Sequence, residues 1–151
     1  MIILDEHLKL NREDTLTHRR FPFELDKEYE KIIINFSYSP SLVPDDEGRV
    51  EILREAIDKY MPEGEFSKEE REDTLNHQIE NFLTTSLFYE GEFVGAYHNK
   101  NNNQEIIISE KEASRGYKKT PIRVGSYEFV VSMHSCNSPV DSKFTLEALD
   151  E

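Results

Sequence analysis

The 151-residue chain contains a single cysteine, no tryptophan and no long apolar run. Because Cys136 stands alone, no disulfide can form within the chain. No segment approaches the roughly 20 apolar residues that a membrane-spanning helix needs. The N-terminus also lacks the basic start and apolar stretch of a secretory signal. The sequence therefore predicts a cytoplasmic protein that does not act at a membrane.

Basic residues are also scarce. The chain has 18 lysines and arginines against 31 acidic residues, which gives a formal net charge of -13. A chain of this charge is repelled by phosphate backbones. The densest basic group, formed by Lys118, Lys119 and Arg123, is small. The composition therefore predicts that nucleic acid is not a partner.

Sequence motifs of known catalytic sites are missing as well. There is no Gly-x-Ser-x-Gly elbow and no glycine-rich phosphate loop. The five histidines do not pair at the short spacings that are common in metal sites. Asp45, Asp46 and Glu47 lack the alternating spacing of a calcium loop, so they are interpreted as an acidic turn. The sequence predicts no catalytic residue, no metal and no cofactor.

Apolar residues that alternate with polar ones dominate the rest of the chain. The clearest case is 126–134, where Tyr127, Phe129, Val131 and Met133 fall on one face. Short strands of this kind, separated by turns, are typical of sandwiches and jelly rolls. We therefore predict one domain, 1–151, an all-β antiparallel sandwich resembling a jelly roll. Its expected strands are 2–10, 16–21, 31–38, 82–89, 93–98, 104–110, 126–134 and 143–149.

A helical insertion is predicted at about 49–82. Its first helix has an apolar stripe at helical spacing, formed by Val50, Leu53, Ala56, Ile57 and Tyr60. The second begins with a capping box, Ser67 followed by Glu70. Leu75, Ile79 and Phe82 form the expected buried side of this second helix.

A family resemblance lies in 87–98 and in six shorter segments after it: the strand at 106–109, then Ala113, Gly116-Tyr117, Pro121-Ile122, Gly125 and 127–131. This order resembles the β-sandwich accessory domain that precedes PHP-type metal-dependent phosphoesterases. It is similar, more loosely, to pre-peptidase C-terminal sandwich domains. The resemblance covers roughly 30–40 and 82–148. The His-x-His pair with which the phosphoesterase domain begins is absent here, so the resemblance implies the accessory domain alone.

Five residues are the candidate ligand-binding set. Arg115 and Tyr117, with Lys119, flank the loop before the main strand, where an aromatic ring and cations can hold a sugar or an anion. His98 and His134 lie near the ends of predicted strands, where loops can bring them together. Tyr97 precedes His98 and joins the set as a second aromatic residue.

The leading functional hypothesis is a non-catalytic cytoplasmic module that binds a partner protein or a small ligand, beside a phosphoesterase-type enzyme encoded separately. One alternative is a small metal-dependent hydrolase that uses His98, His134 and loop carboxylates. A second is a carbohydrate-binding jelly roll. Exposed edge strands also predict a homodimer, since unpaired backbone groups invite pairing.

Overall fold

A computed structural model describes residues 1–45 and 48–151 as two packed four-stranded antiparallel sheets with two helices between the third and fourth strands. The elements, in chain order, are β1 (Ile2–Leu10), a 3₁₀ helix (Arg12–Asp14), β2 (Thr17–Leu25), β3 (Lys31–Ser39), α1 (Arg49–Tyr60), α2 (Lys68–Thr74), β4 (Phe82–Tyr89), β5 (Glu92–Tyr97), β6 (Asn103–Ser109), β7 (Gly125–Ser135) and β8 (Val140–Leu149). The predicted all-β sandwich with a small helical insertion is confirmed. No helix in the described ranges has the length and apolarity to cross a membrane.

The strand order defines the jelly roll. Sheet A runs β1-β8-β3-β6 and sheet B runs β2-β7-β4-β5. The first strand pairs with the last, the second with the seventh, the third with the sixth and the fourth with the fifth. This is the arrangement of one long antiparallel hairpin rolled into two sheets.

Alternating side chains fill the space between the sheets. The apolar faces of β3 and β7 are buried: Ile32, Ile34, Phe36 and Tyr38 on β3, and Tyr127, Phe129, Val131 and Met133 on β7. Phe129 on β7 meets Phe144 on β8 across the core, with ring centroids 4.7 Å apart. Period-two alternation therefore predicted the core correctly, because one face of each strand must be buried.

Tyr127 ties the loop before β7 to the core. Its ring stacks on Phe23 at 5.1 Å, and its hydroxyl donates to the Arg123 carbonyl at 2.9 Å and accepts from the Arg123 amide at 3.0 Å. Burial raises the pKa of this phenol to about 12. A tyrosine that bonds back to the backbone a few residues upstream is a feature of other β-sandwiches. This geometry makes Tyr127 an anchor between the loop and the core.

Two predicted elements differ from the structure. β2 continues through Pro22 to Leu25, whereas the predicted strand ends at Phe21 and the sequence allows Pro22 to be either a break or an edge position. Because β2 is the edge of sheet B, Pro22 has no neighbour on its open side to which an amide would donate. The second difference is the length of α2, which ends at Thr74 and has no buried residue.

Arg49 marks where α2 stops. Its Nη1 donates to the carbonyls of Leu75 at 2.8 Å and His77 at 2.7 Å, so the chain turns there instead of continuing as a helix. The predicted buried helix side made of Leu75, Ile79 and Phe82 is therefore wrong. Leu75 follows the helix, and Phe82 begins β4.

Asn81 is a buried polar centre where the insertion returns to the sandwich. The side chain, 2% exposed, donates to the Pro40 carbonyl at 3.0 Å and to Ser138 Oγ at 2.9 Å. Its Oδ1 accepts from the Asn137 amide at 2.8 Å. One amide side chain thus joins the end of β3, the start of β4 and the turn between β7 and β8.

A loop covers the edge of sheet B at β5. The Ala96 amide donates to the Gly116 carbonyl at 3.1 Å, and the Lys118 amide donates to the Val94 carbonyl at 3.0 Å. A Cβ at Gly95 would lie 2.5 Å from the Tyr117 Cα, so this approach requires glycine. The edge is closed to another strand.

Replacing Asn81 with alanine should lower the free energy of unfolding by about 2–4 kcal/mol, since three hydrogen bonds are lost and the Asn137 amide loses its acceptor. Urea denaturation measures the loss. Asn76→Ala is the matched control, because Asn76 is exposed in the insertion. Equal stability of the two variants would contradict the role given to Asn81.

Candidate functional site

The structure brings two of the five candidate residues into contact. The rings of His98 and His134 meet edge to face, with centroids 5.3 Å apart. His98 directly follows β5 and His134 lies near the end of β7, so the expectation that they come together is confirmed. Neither the contact nor its position identifies a ligand.

The sequence predicts that the Tyr117 ring is exposed, and the structure shows that this prediction is wrong. The side chain is 8% exposed and belongs to the core. Its hydroxyl lies 2.7 Å from Thr85 Oγ1, and burial raises its pKa to about 12. The ring therefore presents no open surface on which a sugar could stack.

Of the other two candidates, Tyr97 is the last residue of β5 and Arg115 lies in the loop that covers this strand. Tyr97 packs partly against the core, and its hydroxyl accepts from Asn99 Nδ2 at 3.0 Å. Arg115 is exposed in the loop that covers β5. Ligand binding by the five residues stays a prediction, and only His98 and His134 share a surface through direct contact.

A third histidine belongs to the same surface. His18 on β2 pairs in register with Ser132 on β7, and its Nδ1 lies 2.8 Å from Ser132 Oγ. Ser132 in turn pairs with Thr84 on β4. We call the outward side of sheet B around these residues the histidine face: His18, Ser132, Thr84, His134 and His98. Sequence reasoning missed His18, because only the pairing of distant strands brings it to this surface.

His134 is held on three sides. Its Nε2 lies 2.8 Å from Thr84 Oγ1, its ring stacks on Phe82 at 5.1 Å, and its edge contact is with His98. The pKa of His134 is lowered by burial first, and then by the charges of His98 and His18. Protonation of this ring is therefore less favourable in the folded protein than in the unfolded chain.

The outer surfaces of the two sheets differ in their content of charged residues. Sheet A has outward charged residues on all four strands: Asp5, Lys9, Lys31, Glu105, Asp141, Lys143 and Glu147. β4 contains no charged residue at all. The outward charges of sheet B lie on β2 and β7, where Arg20 and Glu128 pair at 2.7 Å. Apart from its histidines, the centre of the histidine face thus carries no acidic or basic side chain, in a chain whose net charge is -13.

Aromatic rings border this surface at its other end. Phe88 and Phe93 meet edge to face at 5.7 Å, and Lys118 Nζ lies over the Phe93 ring. Phe93 is 50% exposed. A groove of about 430 Å³ lies beside Phe88 and is lined also by Pro22, Arg20 and Glu128. Sheet B therefore offers small hydroxyl residues between two aromatic borders.

A second cavity, of about 520 Å³, lies between α1 and α2. Ile57, Phe66 and Leu75 form its apolar lining. Arg71 crosses its rim and bonds Asp58 at 3.1 Å and Glu63 at 3.3 Å. The rim charges thus largely neutralise one another.

No three histidine, cysteine or acidic side chains in residues 1–45 and 48–151 are arranged to hold a metal ion. Within the acidic turn, Asp45 forms an ion pair with Arg49 at 2.6 Å. Asp46 and Glu47 lie outside the described residues. Cys136 is buried, and burial raises the pKa of its thiol to about 11, so the thiol form predominates.

The fold and surface define a jelly-roll β-sandwich domain with a helical insertion. No protein-family model matches the chain, and a search of curated proteins gives no match. Among solved structures, the chain is similar to the crystal structure of GEBA250068378 from Sulfurospirillum deleyianum. The two are 9% identical with a TM-score of 0.32, over 98% of this chain and 99% of that one. A likeness this weak carries no argument about function.

The lowered pKa of His134 predicts pH-dependent stability. Between its ordinary value of 6.5 and the lower folded value, the unfolded chain binds more protons than the folded one. Stability is therefore complete above 6.5 and falls as the pH drops through that window. The melting temperature should fall between about pH 7.5 and pH 6.0, a range above the titration of ordinary carboxylates.

His134→Phe should flatten this dependence, because phenylalanine keeps an aromatic ring beside Phe82 and does not titrate. His77→Phe, in the insertion, is the control and should keep the wild-type slope. An unchanged slope in His134→Phe would show that other groups cause the dependence.

Proposed function

We propose that the protein is a non-catalytic binding module that recognises a partner protein or a small ligand through the histidine face. The observation that carries the proposal is the uncharged centre of sheet B in a strongly acidic chain. Surface positions elsewhere are rich in charge, as sheet A illustrates. A binding surface is typically depleted of charge at its centre and enriched in aromatic residues.

The composition of the surface supports this role. The half-buried Ser132 and Ser86 supply small hydroxyl side chains, and the exposed rings of His18 and His98 supply donors and acceptors. Phe82 and Phe93 border this polar centre with apolar area. A central polar patch between aromatic anchors suits a ligand or partner that is uncharged where it makes contact.

The cellular setting belongs to the same proposal. A cytoplasmic location is supported by the single cysteine, which is reduced and buried. Work beside a separately encoded phosphoesterase-type enzyme is supported only by the likeness of strand and turn order. A homodimer is supported by the edges at β1 and β2, although Pro22 and the irregular register between Ile2 and Leu4 are features that discourage strand addition.

A bulky charge placed at the centre of the histidine face should abolish partner binding. Ser86 is half-buried and pairs with Val130 on one side and Ala96 on the other. The variant Ser86→Arg, used as bait in the native cell, should lose a partner that the wild type retains. Thr145→Arg is the matched control, since Thr145 holds the equivalent half-buried central position on sheet A between Asp5 and Asn35.

Circular dichroism first establishes that both variants are folded. A partner retained by Thr145→Arg and lost by Ser86→Arg supports the proposal. A partner that all three proteins retain equally would place binding elsewhere, and a wild type that emerges alone and monomeric would contradict the proposal.

A further inference from the structure

The rings of His98 and His134 are in contact, but His134 is held in place more firmly than His98. His134 is fixed by Thr84 and by the Phe82 ring. His98 is exposed and follows the last residue of β5, so its backbone belongs to the loop that leads to β6. A force between the two rings would therefore move His98 and its loop, whereas His134 would stay in place.

The loop that His98 begins, 98–102, closes one end of the sandwich. The Tyr38 amide donates to the Asn102 carbonyl at 2.9 Å, and Asn102 Nδ2 donates to the Tyr38 carbonyl at 2.8 Å. Within and beside the loop, the amides of Asn101 and Asn103 donate to the Asn99 and Asn101 side chains. Few apolar contacts are involved, so the closure depends on polar bonds exposed to water.

No nearby acidic group is free to neutralise a positive charge on these rings, among the residues described. The surrounding carboxylates already have cationic partners: Asp14 with Arg19, Glu128 with Arg20, and Glu80 with Lys100. Thr84, Ser132 and Phe82 are uncharged. The third titratable group, His18, adds positive charge when it is protonated. Among the described residues, the carboxylates around the face are therefore already paired, and protonation of both rings introduces repulsion between them.

We propose that the His98–His134 contact is a pH-sensitive latch, which holds the loop 98–102 closed when both rings are neutral and releases it when both are protonated. Release changes the edge of the histidine face, so under the proposed function it also regulates binding there. Only this last consequence rests on the proposed function. The latch itself can be tested without any ligand.

Amide hydrogen exchange followed by NMR tests the latch in EDTA-treated protein, so that bound metal does not contribute. Protection factors are corrected for the intrinsic pH dependence of exchange and compared at about pH 7.5 and pH 5.0, the lower pH lying well below the ordinary histidine pKa because the pKa of His134 is lowered in the folded protein. The amides of Tyr38, Asn101 and Asn103 should lose about tenfold in protection at the lower pH, because repulsion between the two charged rings favours opening of the loop. The Glu90 amide, which bonds the Ser126 carbonyl at the other end of the sandwich, should be unchanged.

His98→Phe keeps an aromatic ring at an exposed position and should remove the response, and His134→Phe should do the same. His77→Phe is the control and should respond as the wild type does. Equal protection at the two pH values in the wild type, or a response that persists in His98→Phe, would overturn the latch. Failure of the latch leaves the outcome of the Ser86→Arg experiment unaffected, so the two proposals fail separately.

Discussion

β7 and β8 hold the sandwich together, since each lies in the middle of its sheet with a hydrogen-bonded neighbour on both sides. β7 joins β2 to β4, and β8 joins β1 to β3. Both come from the end of the chain, so neither sheet can be completed until the last residues are in place. Phe129 and Phe144 then pack against each other between these central strands. The buried polar centre at Asn81 fixes the turn that connects them.

The sequence predicted the strands because their alternation is a local property, and it failed where a distant residue decides the outcome. Ile32, Ile34 and Phe36 indicate their buried face whichever strands lie beside them. Pro22 has an ambiguous meaning until β2 is known to be an edge strand. The end of α2 depends on Arg49, whose bonds to Leu75 and His77 join residues that no local periodicity connects.

The candidate site shows the same contrast between what local sequence predicts and what distant residues decide. His98 and His134 were singled out because strand ends tend to meet, which needs only approximate strand limits. His18 could not be found in this way, since its place opposite Ser132 requires the register of β2 against β7. Tyr117 was misplaced because charged neighbours suggest an exposed loop. The sequence feature that indicates a buried Tyr117 is the presence of Gly95 and Gly116. Because these residues have no side chain, the loop can pack closely against β5.

The contrast between the two sheet surfaces is harder to explain by folding alone. Both sheets bury one face against the other, and an outward face needs only to be soluble, which sheet A achieves with charges of both signs. Sheet B has no charge on β4 and instead carries paired rings and hydroxyl groups at its surface. A jelly roll does not require this, since the fold accommodates many functions. A surface with exposed aromatic area and little charge gains solubility from neither feature, and this composition is the reason for proposing contact with another molecule there.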